Sequence, residues 1–331
     1  MAKINDLEYL IDDYLLNCDL KNLSNKTIKS YDQSLKLFIR YLEDNLKITN
    51  IKQLKKEHVE DYISFSKEKG KYSFVTDATK AIINNPQNRR DFEDKISATT
   101  VNNYLRNIKA FLNWCVRERI IRENVAEEIK LLKTTRKRKE QISDLEYKLL
   151  LKTLDTTKYV EFRDYVIINL MFDSGMRLGE TLALTIADID LMRKTVVINA
   201  DNAKSKKDRV VFFSNKMNQL LRRWIGYKDR YLESDYLFPT NRGSKLQVTN
   251  FEKNFKKYMK MTGIKKDITP HSLRNNFGRR FLMAGGDIYT LSRVLGHSSV
   301  EVTEKAYLDL SDEDLRKNYQ RFSPLENMED K

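Results

Sequence analysis

Between Leu7 and about Leu132, apolar residues return at helical spacing with no strand-like alternation, which predicts a set of amphipathic helices. The clearest runs from Thr100 to Arg117. There Val101, Tyr104, Leu105, Ile108, Phe111, Leu112 and Cys115 make an apolar face, while Asn102, Asn103, Arg106 and Lys109 occupy others. Lys26 to Glu43 repeats the scheme with Ile28, Tyr31, Leu35, Phe38, Ile39 and Leu42, behind Ser24 and Asn25, both suited to cap a helix start. Between them, Lys69 to Lys95 carries Asn84, Asn85, Pro86, Gln87, Asn88, Arg89 and Arg90, the composition of a turn or exposed loop.

The pattern changes after Ile142. Tyr165 to Phe172 is continuously apolar enough for a buried helix, and Gly175 suits its C-terminal cap. Thr195 to Ile198 and Arg209 to Phe213 are β-branched runs joined by the polar segment Asn199 to Asp208, which predicts an antiparallel hairpin with a lysine-rich tip. From Asn250 to Gln320 the helical spacing returns, interrupted at Gly263, Gly285, Gly286 and Gly296. The expected fold is therefore mainly α with a small antiparallel β-sheet. It comprises a helical domain over residues 1–132, a linker over 133–141 and a mixed α/β domain over 142–331. The linker contains Lys-Thr-Thr-Arg-Lys-Arg-Lys, with nothing apolar to bury. It reads as an extended, solvated segment that could also lie along a phosphate backbone through Arg136, Lys137 and Arg138.

Charge narrows the partner. The 61 Lys and Arg against 47 Asp and Glu leave a formal charge of +14, a field that attracts polyanions and makes nucleic acid the leading candidate, although such charge can also serve only solubility. Cys18 and Cys115 are the only cysteines and lie outside any C-x-x-C pattern, so one chain can build neither a disulfide scaffold nor a zinc knuckle. Met1 to Leu7 mixes charged and apolar residues, and no apolar run reaches the roughly 18 residues needed to span a bilayer. No signal peptide or membrane segment is read, and the cytoplasm is the expected compartment.

Three constellations carry candidate chemistry. In Thr269-Pro270-His271-Ser272-Leu273-Arg274, Thr269 can cap a helix and Pro270 suits its first position. This sets His271 and Arg274 on one face of the first turn, where free backbone amides favour an anion. In Leu295-Gly296-His297-Ser298-Ser299, Gly296 ends one helix and His297 lies in the connection to the next, which leads through Thr303 to Tyr307. In Asp173 to Glu180, Arg177 follows the helix stop at Gly175. Its planar guanidinium could grip two phosphate oxygens, or instead pair with a carboxylate such as Glu180. Two of the chain's three histidines fall in these motifs; the third, His58, sits in the charged stretch Lys55 to Asp61 and reads as an ordinary residue.

The order Arg177, lysine-tipped hairpin, His271 with Arg274, Gly296-His297 and Tyr307 resembles the tyrosine recombinase (phage integrase) family, over Ser143 to about Leu310 by motif. The helical N-terminal half resembles that family's core-binding domain more weakly. The resemblance implies that Arg177, Lys204, His271, Arg274 and His297 are catalytic and that Tyr307 is the nucleophile. Ala203-Lys204-Ser205-Lys206-Lys207-Asp208-Arg209 offers three lysines. The family's G-K-x-x-K-x-R pattern selects Lys204, with alanine where its glycine usually stands. The interval from His297 to Tyr307 matches the longer of the family's spacings.

The implied activity is site-specific recombination through a covalent 3'-phosphotyrosine and a Holliday junction, with no cofactor, metal or ATP. The partners are double-stranded DNA with specific sites and a homo-tetramer on it, the free protein being a monomer or weak oligomer; an accessory protein could assist. Thr99, Asn102, Asn103, Arg106 and Lys109, near the start of one amphipathic helix, are candidate DNA contacts or else a solvated polar face. Lys206 and Lys207 at the hairpin tip are further DNA-binding candidates. Asp309 to Phe322 could form a helix docking on a neighbouring protomer or in cis. The nearly direct start of the helical half suggests a simple recombinase of Xer, resolvase or transposon type. A type IB topoisomerase-like enzyme that relaxes supercoils, and a DNA-binding regulator that lost turnover, are the rival readings.

Overall fold

A computed structural model of the chain describes residues 6–72, 74, 85–134, 140–199 and 208–307, together with 316, 319, 323 and 325. The chain divides into two compact units, Met1–Arg136 and Lys137–Lys331.

The N-terminal unit is built on helices α1 (Leu7–Leu20), α2 (Asn25–Tyr41), α3 (Lys56–Lys69) and α4 (Ala98–Arg117). Three of them start where a side chain can accept the first free backbone N–H groups: Asp6 takes Glu8 and Tyr9, Ser24 takes Thr27, and Ser97 takes Thr100. Ser24 is thus the cap of α2 and Asn25 its first helical residue, and the helix continues into a π-helical turn at Leu42–Leu46. The apolar faces meet in one core. Tyr14 packs edge-on to Phe111 with ring centroids 5.6 Å apart, Phe38 meets Tyr62 at 5.0 Å, and Leu35, Val59, Leu105, Ile108 and Leu112 close around them.

Asn102, expected among the DNA contacts, is buried instead. Its Nδ2 donates to the Leu132 carbonyl at 2.9 Å and its Oδ1 accepts the Leu132 N–H at 2.8 Å, so it clamps the chain at the end of this unit. Asn102 stands three residues before Leu105 and six before Ile108, on the packed side of α4, where a polar side chain persists only if its hydrogen bonds are satisfied. Asn102→Ala is expected to lower the unfolding free energy by about 1–3 kcal/mol in urea titrations, because the backbone groups of Leu132 lose their partners. DNA affinity and its salt slope should stay as in the wild type; unchanged stability with weakened DNA binding would return Asn102 to the interface.

The C-terminal unit surrounds α6 (Tyr159–Ser174), which follows α5 (Asp144–Lys152). Phe162, Val166, Ile167, Ile168, Leu170 and Met171 leave α6 almost no solvent face, so it is the central helix. It begins earlier than its apolar run suggests, because its first turn is half exposed at Tyr159 and Glu161. Then come α7 (Leu178–Ala183), strands β1 (Ile189–Asp190), β2 (Thr195–Ile198) and β3 (Arg209–Phe212), and helices α8 (Asn215–Tyr231), α9 (Val248–Thr262), α10 (Pro270–Met283), α11 (Ile288–Leu295) and α12 (Val300–Tyr307). Both α8 and α10 pack on α6.

The strands form one antiparallel sheet in the order β1-β2-β3, with Val196 opposite Val211 and Ile198 opposite Arg209. Alternation sends Val196, Ile198 and Val211 inward and leaves Val197, Val210 and Phe212 exposed. By the same parity Arg209 belongs to the inward face, at the end of the hairpin from which the segment 200–207 departs. The start of this unit is tied down by α10 and the loop before it. Lys266 Nζ donates to the Gln141 carbonyl at 3.0 Å, the Asp267 N–H donates to Glu140, and Arg280 pairs with Asp144 at 2.7 Å. Among the described residues no helix is long and apolar enough to cross a membrane.

Candidate active site

The site is assembled from helix ends. Helix α6 stops at Gly175, whose φ of +68° is left-handed; a Cβ there would lie 2.3 Å from Phe277 and 2.9 Å from Leu295, so glycine serves both the turn and the close approach. Two residues on, Arg177 is the N-cap of α7. Its backbone N–H donates to Glu180 Oε2 at 3.0 Å and its Nη1 to Glu180 Oε1 at 2.8 Å, while Nη2 reaches the Gly296 carbonyl at 3.3 Å. Of the two readings of Arg177, the structure shows the pairing with Glu180.

Helix α10 starts as its Thr-Pro pair predicts. Thr269 is the N-cap, Pro270 occupies the first turn, and the Thr269 N–H donates to Ser272 Oγ at 3.1 Å. His271 is exposed at this helix start. Arg274, one turn further, is buried and donates from Nη1 to the Gly175 carbonyl and from Nη2 to the Leu295 carbonyl, each at 2.7 Å.

Helix α11 ends at Gly296, φ +63°, where the Gly296 N–H returns to Arg293 and the His297 N–H to Ser292. The carbonyls of Val294, Leu295 and Gly296 then receive three arginines: Arg209 Nε at 3.3 Å, Arg274 Nη2 at 2.7 Å and Arg177 Nη2 at 3.3 Å. A helix C-terminus carries unsatisfied carbonyls and partial negative charge, so it holds cations well. Here it draws together guanidinium groups from the loop after α6, from β3 and from α10. The next residue, His297, is fixed by its Nδ1, 2.7 Å from Oγ1 of the fully buried Thr303 on α12.

Glu180 balances part of this charge. It is almost wholly buried and also takes Arg209 in a fork, Nη1 to Oε1 at 3.1 Å and Nη2 to Oε2 at 2.6 Å. Burial by itself would raise its carboxyl, but the bonds and charge of Arg209, then of Arg177, overcome this and hold it below the ordinary carboxylate range. Three guanidinium groups against one carboxylate leave a positive cluster at the α11 terminus, suited to the phosphate of a nucleic acid.

The structure thus brings Arg177, Arg274 and His297 to one turn, with His271 three residues before Arg274 at the start of the same helix. Tyr307 is the last residue of α12, the helix that supplies Thr303; its side chain lies outside the described residues. Lys204, Lys206 and Lys207, the linker residues Arg136, Lys137 and Arg138, and most of Asp309 to Phe322 also lie outside them. On α4, Thr99, Asn103 and Arg106 are exposed along one stripe, Arg106 donating to Asn103 Oδ1 at 2.9 Å, while Lys109 Nζ bonds the Glu127 carbonyl at 2.7 Å. The sequence marks Arg209 as the end of a lysine pattern and the start of a strand, but not as part of the site. The signal was available in strand parity, which turns residue 209 inward with Val211 and makes a charged side chain there need a buried partner.

The chain belongs to the phage integrase family of tyrosine recombinases: residues 140–314 match the model of the phage integrase family and residues 11–82 that of its N-terminal SAM-like domain. It is accordingly an enzyme of DNA strand breakage and rejoining. The tyrosine recombinase XerC of Chlamydia caviae is 29% identical over 301 residues, which are 89% of this chain and 91% of the relative. The tyrosine recombinase XerD of Oceanobacillus iheyensis is 25% identical over 324 residues, 96% of this chain and 99% of the relative. Among solved structures, the Tn1549 transposon integrase in complex with transposon right end DNA matches with a TM-score of 0.74 at 19% identity, covering 96% of this chain and 99% of that one. A lambda integrase tetramer bound to a Holliday junction matches at 0.65 and 14% identity, covering 89% and 78%. These two likenesses establish the fold.

Proposed function

We propose that this enzyme is a site-specific recombinase that cuts each DNA strand by attack of the Tyr307 oxygen on a phosphodiester. The attack forms a covalent 3'-phosphotyrosine and releases a 5' hydroxyl; the 5' hydroxyl of a second strand then attacks the same phosphorus and expels the tyrosine. The observation that supports this most is the convergence of Arg177, Arg274 and His297 on the α11 terminus, within a chain of this family.

Charge builds on the non-bridging oxygens as the phenol attacks, and Arg177 and Arg274 are the groups to offset it, already oriented by carbonyls before substrate arrives. A free tyrosine has a pKa of about 10, so its proton needs an acceptor, for which His271, exposed in the first turn of α10, is the candidate. Lys204 would supply a proton to the departing 5' oxygen, and His297, its ring set by Thr303, would donate to the phosphate or orient Tyr307. The phosphotyrosine keeps the energy of the broken bond, so resealing requires no ATP. Two units joined by the basic segment 133–139 would embrace duplex DNA, with Thr99, Asn103, Arg106 and the linker basics against its backbone or groove. Four protomers on paired sites would exchange strands through a Holliday junction.

The test is recovery of covalent protein–DNA adducts from cells expressing the protein, followed by sequencing of the attached DNA. A recurrent sequence is expected, and two copies of it on one plasmid should yield recombinants. Relaxed plasmid without recombinants would indicate a topoisomerase-like activity, and no adduct at all would indicate a DNA-binding regulator.

A further inference from the structure

Arg209 has no part in the scheme above, yet its side chain ends inside the site. Only 8% of it is exposed, its fork lies on Glu180 and its Nε on the Val294 carbonyl, so its donors face protein. Its aliphatic part lies where a Cβ on Gly296 would come within 2.7 Å of Cδ, which makes Arg209 and the Gly296 turn a single packed unit.

Glu180 is the link to Arg177. The two lie 2.8 Å apart with the carboxylate almost fully buried, where little water screens the pair. Taken alone, Arg177 and Glu180 sum to no net charge, and the carboxylate would compete with a phosphate for the guanidinium. Adding Arg209 returns the trio to one net positive charge and gives the carboxylate a partner that cannot reach substrate.

We propose that Arg209 is a positioning residue for strand cleavage: by engaging both oxygens of Glu180 it leaves Arg177 net positive charge and a fixed direction toward the Gly296–His297 turn. This rests on the role proposed for Arg177. The same contacts fasten the hairpin end, from which the Lys204 segment departs, to the turn that carries His297.

The probe is a nicked duplex of the sequence recovered from trapped adducts, cleaved under single-turnover conditions at saturating protein. Arg209→Gln is expected to slow cleavage about a hundredfold while the Kd for the same duplex moves less than about threefold, since a side chain turned away from solvent contributes no phosphate contact. Adding Glu180→Gln to Arg209→Gln removes the unbalanced carboxylate and should recover about tenfold of the lost rate. Arg209→Lys keeps the charge without the fork and should fall between wild type and Arg209→Gln. Should Arg209→Gln fail to fold, the double variant, which buries no unpaired charge, is compared with Glu180→Gln alone, and equal rates are expected.

The proposal is overturned by a wild-type cleavage rate in Arg209→Gln, by equal losses of rate and affinity, or by a double variant with no recovery over Arg209→Gln and slower than Glu180→Gln alone. If Tyr307→Phe still forms adduct, the underlying site reading is at fault; if that variant is inactive, these outcomes bear on Arg209 alone.

Discussion

Tyr307→Phe should leave no covalent adduct on nicked cognate DNA, with DNA affinity within about fivefold of wild type, because the change removes one neutral hydroxyl, about 1 kcal/mol of hydrogen bonding, and no positive charge. Affinity for DNA comes mainly from neutralising phosphates, and the substitution removes none of the chain's 61 Lys and Arg. The measurement is denaturing electrophoresis of labelled duplex beside an equilibrium titration of the same duplex. Persisting adduct would move the nucleophile to another tyrosine, and Tyr227 and Tyr289 are poorly suited to replace it. Tyr227 on α8 donates to the Thr157 carbonyl at 2.9 Å, and its phenol is pushed up to about 12, first by its hydrogen bond with Tyr231. Tyr289 is 68% exposed in the first turn of α11, away from the Gly296 end where the arginines gather.

Arg274→Ala is expected to damage rate and stability together. The guanidinium is the only described donor set joining the buried Gly175 and Leu295 carbonyls, at 2.7 Å each, and two carbonyls left without partners cost about 1–3 kcal/mol apiece. If Arg274 faces the scissile phosphate as proposed, loss of its positive group should slow cleavage by a further factor of about 10² to 10³. Arg274→Lys separates the two effects. Its single ammonium can restore charge but cannot bridge two carbonyls, so DNA binding should approach wild type while the melting temperature and cleavage rate remain depressed. Thermal denaturation and single-turnover cleavage on the same preparations decide the matter. Arg274→Ala cleaving at the wild-type rate would remove this residue from the site.

Local chemistry explains which parts were legible. Gly175 and Gly296 at helix stops and Thr269-Pro270 at a helix start are short-range signals, and they located the elements carrying Arg177, His297 and Arg274. The hairpin was equally plain from its β-branched runs, whereas β1, only Ile189–Asp190, is too short to leave an alternation. Residue partnerships at long range were not legible. Asn102 looked like part of a polar face because Leu132, its partner, is 30 residues away, although its spacing from Leu105 and Ile108 already put it on the packed side. Arg209 and Glu180 are 29 residues apart, and nothing local announces that one carboxylate answers two arginines.

The α11 terminus gathers donors from 119, 85 and 21 residues away along the chain. No fragment or early folding intermediate owns such a cluster, since each guanidinium arrives on a different element and only the finished C-terminal unit sets them side by side. A partly folded chain is therefore expected to bind nucleic acid through its general positive charge without cleaving it.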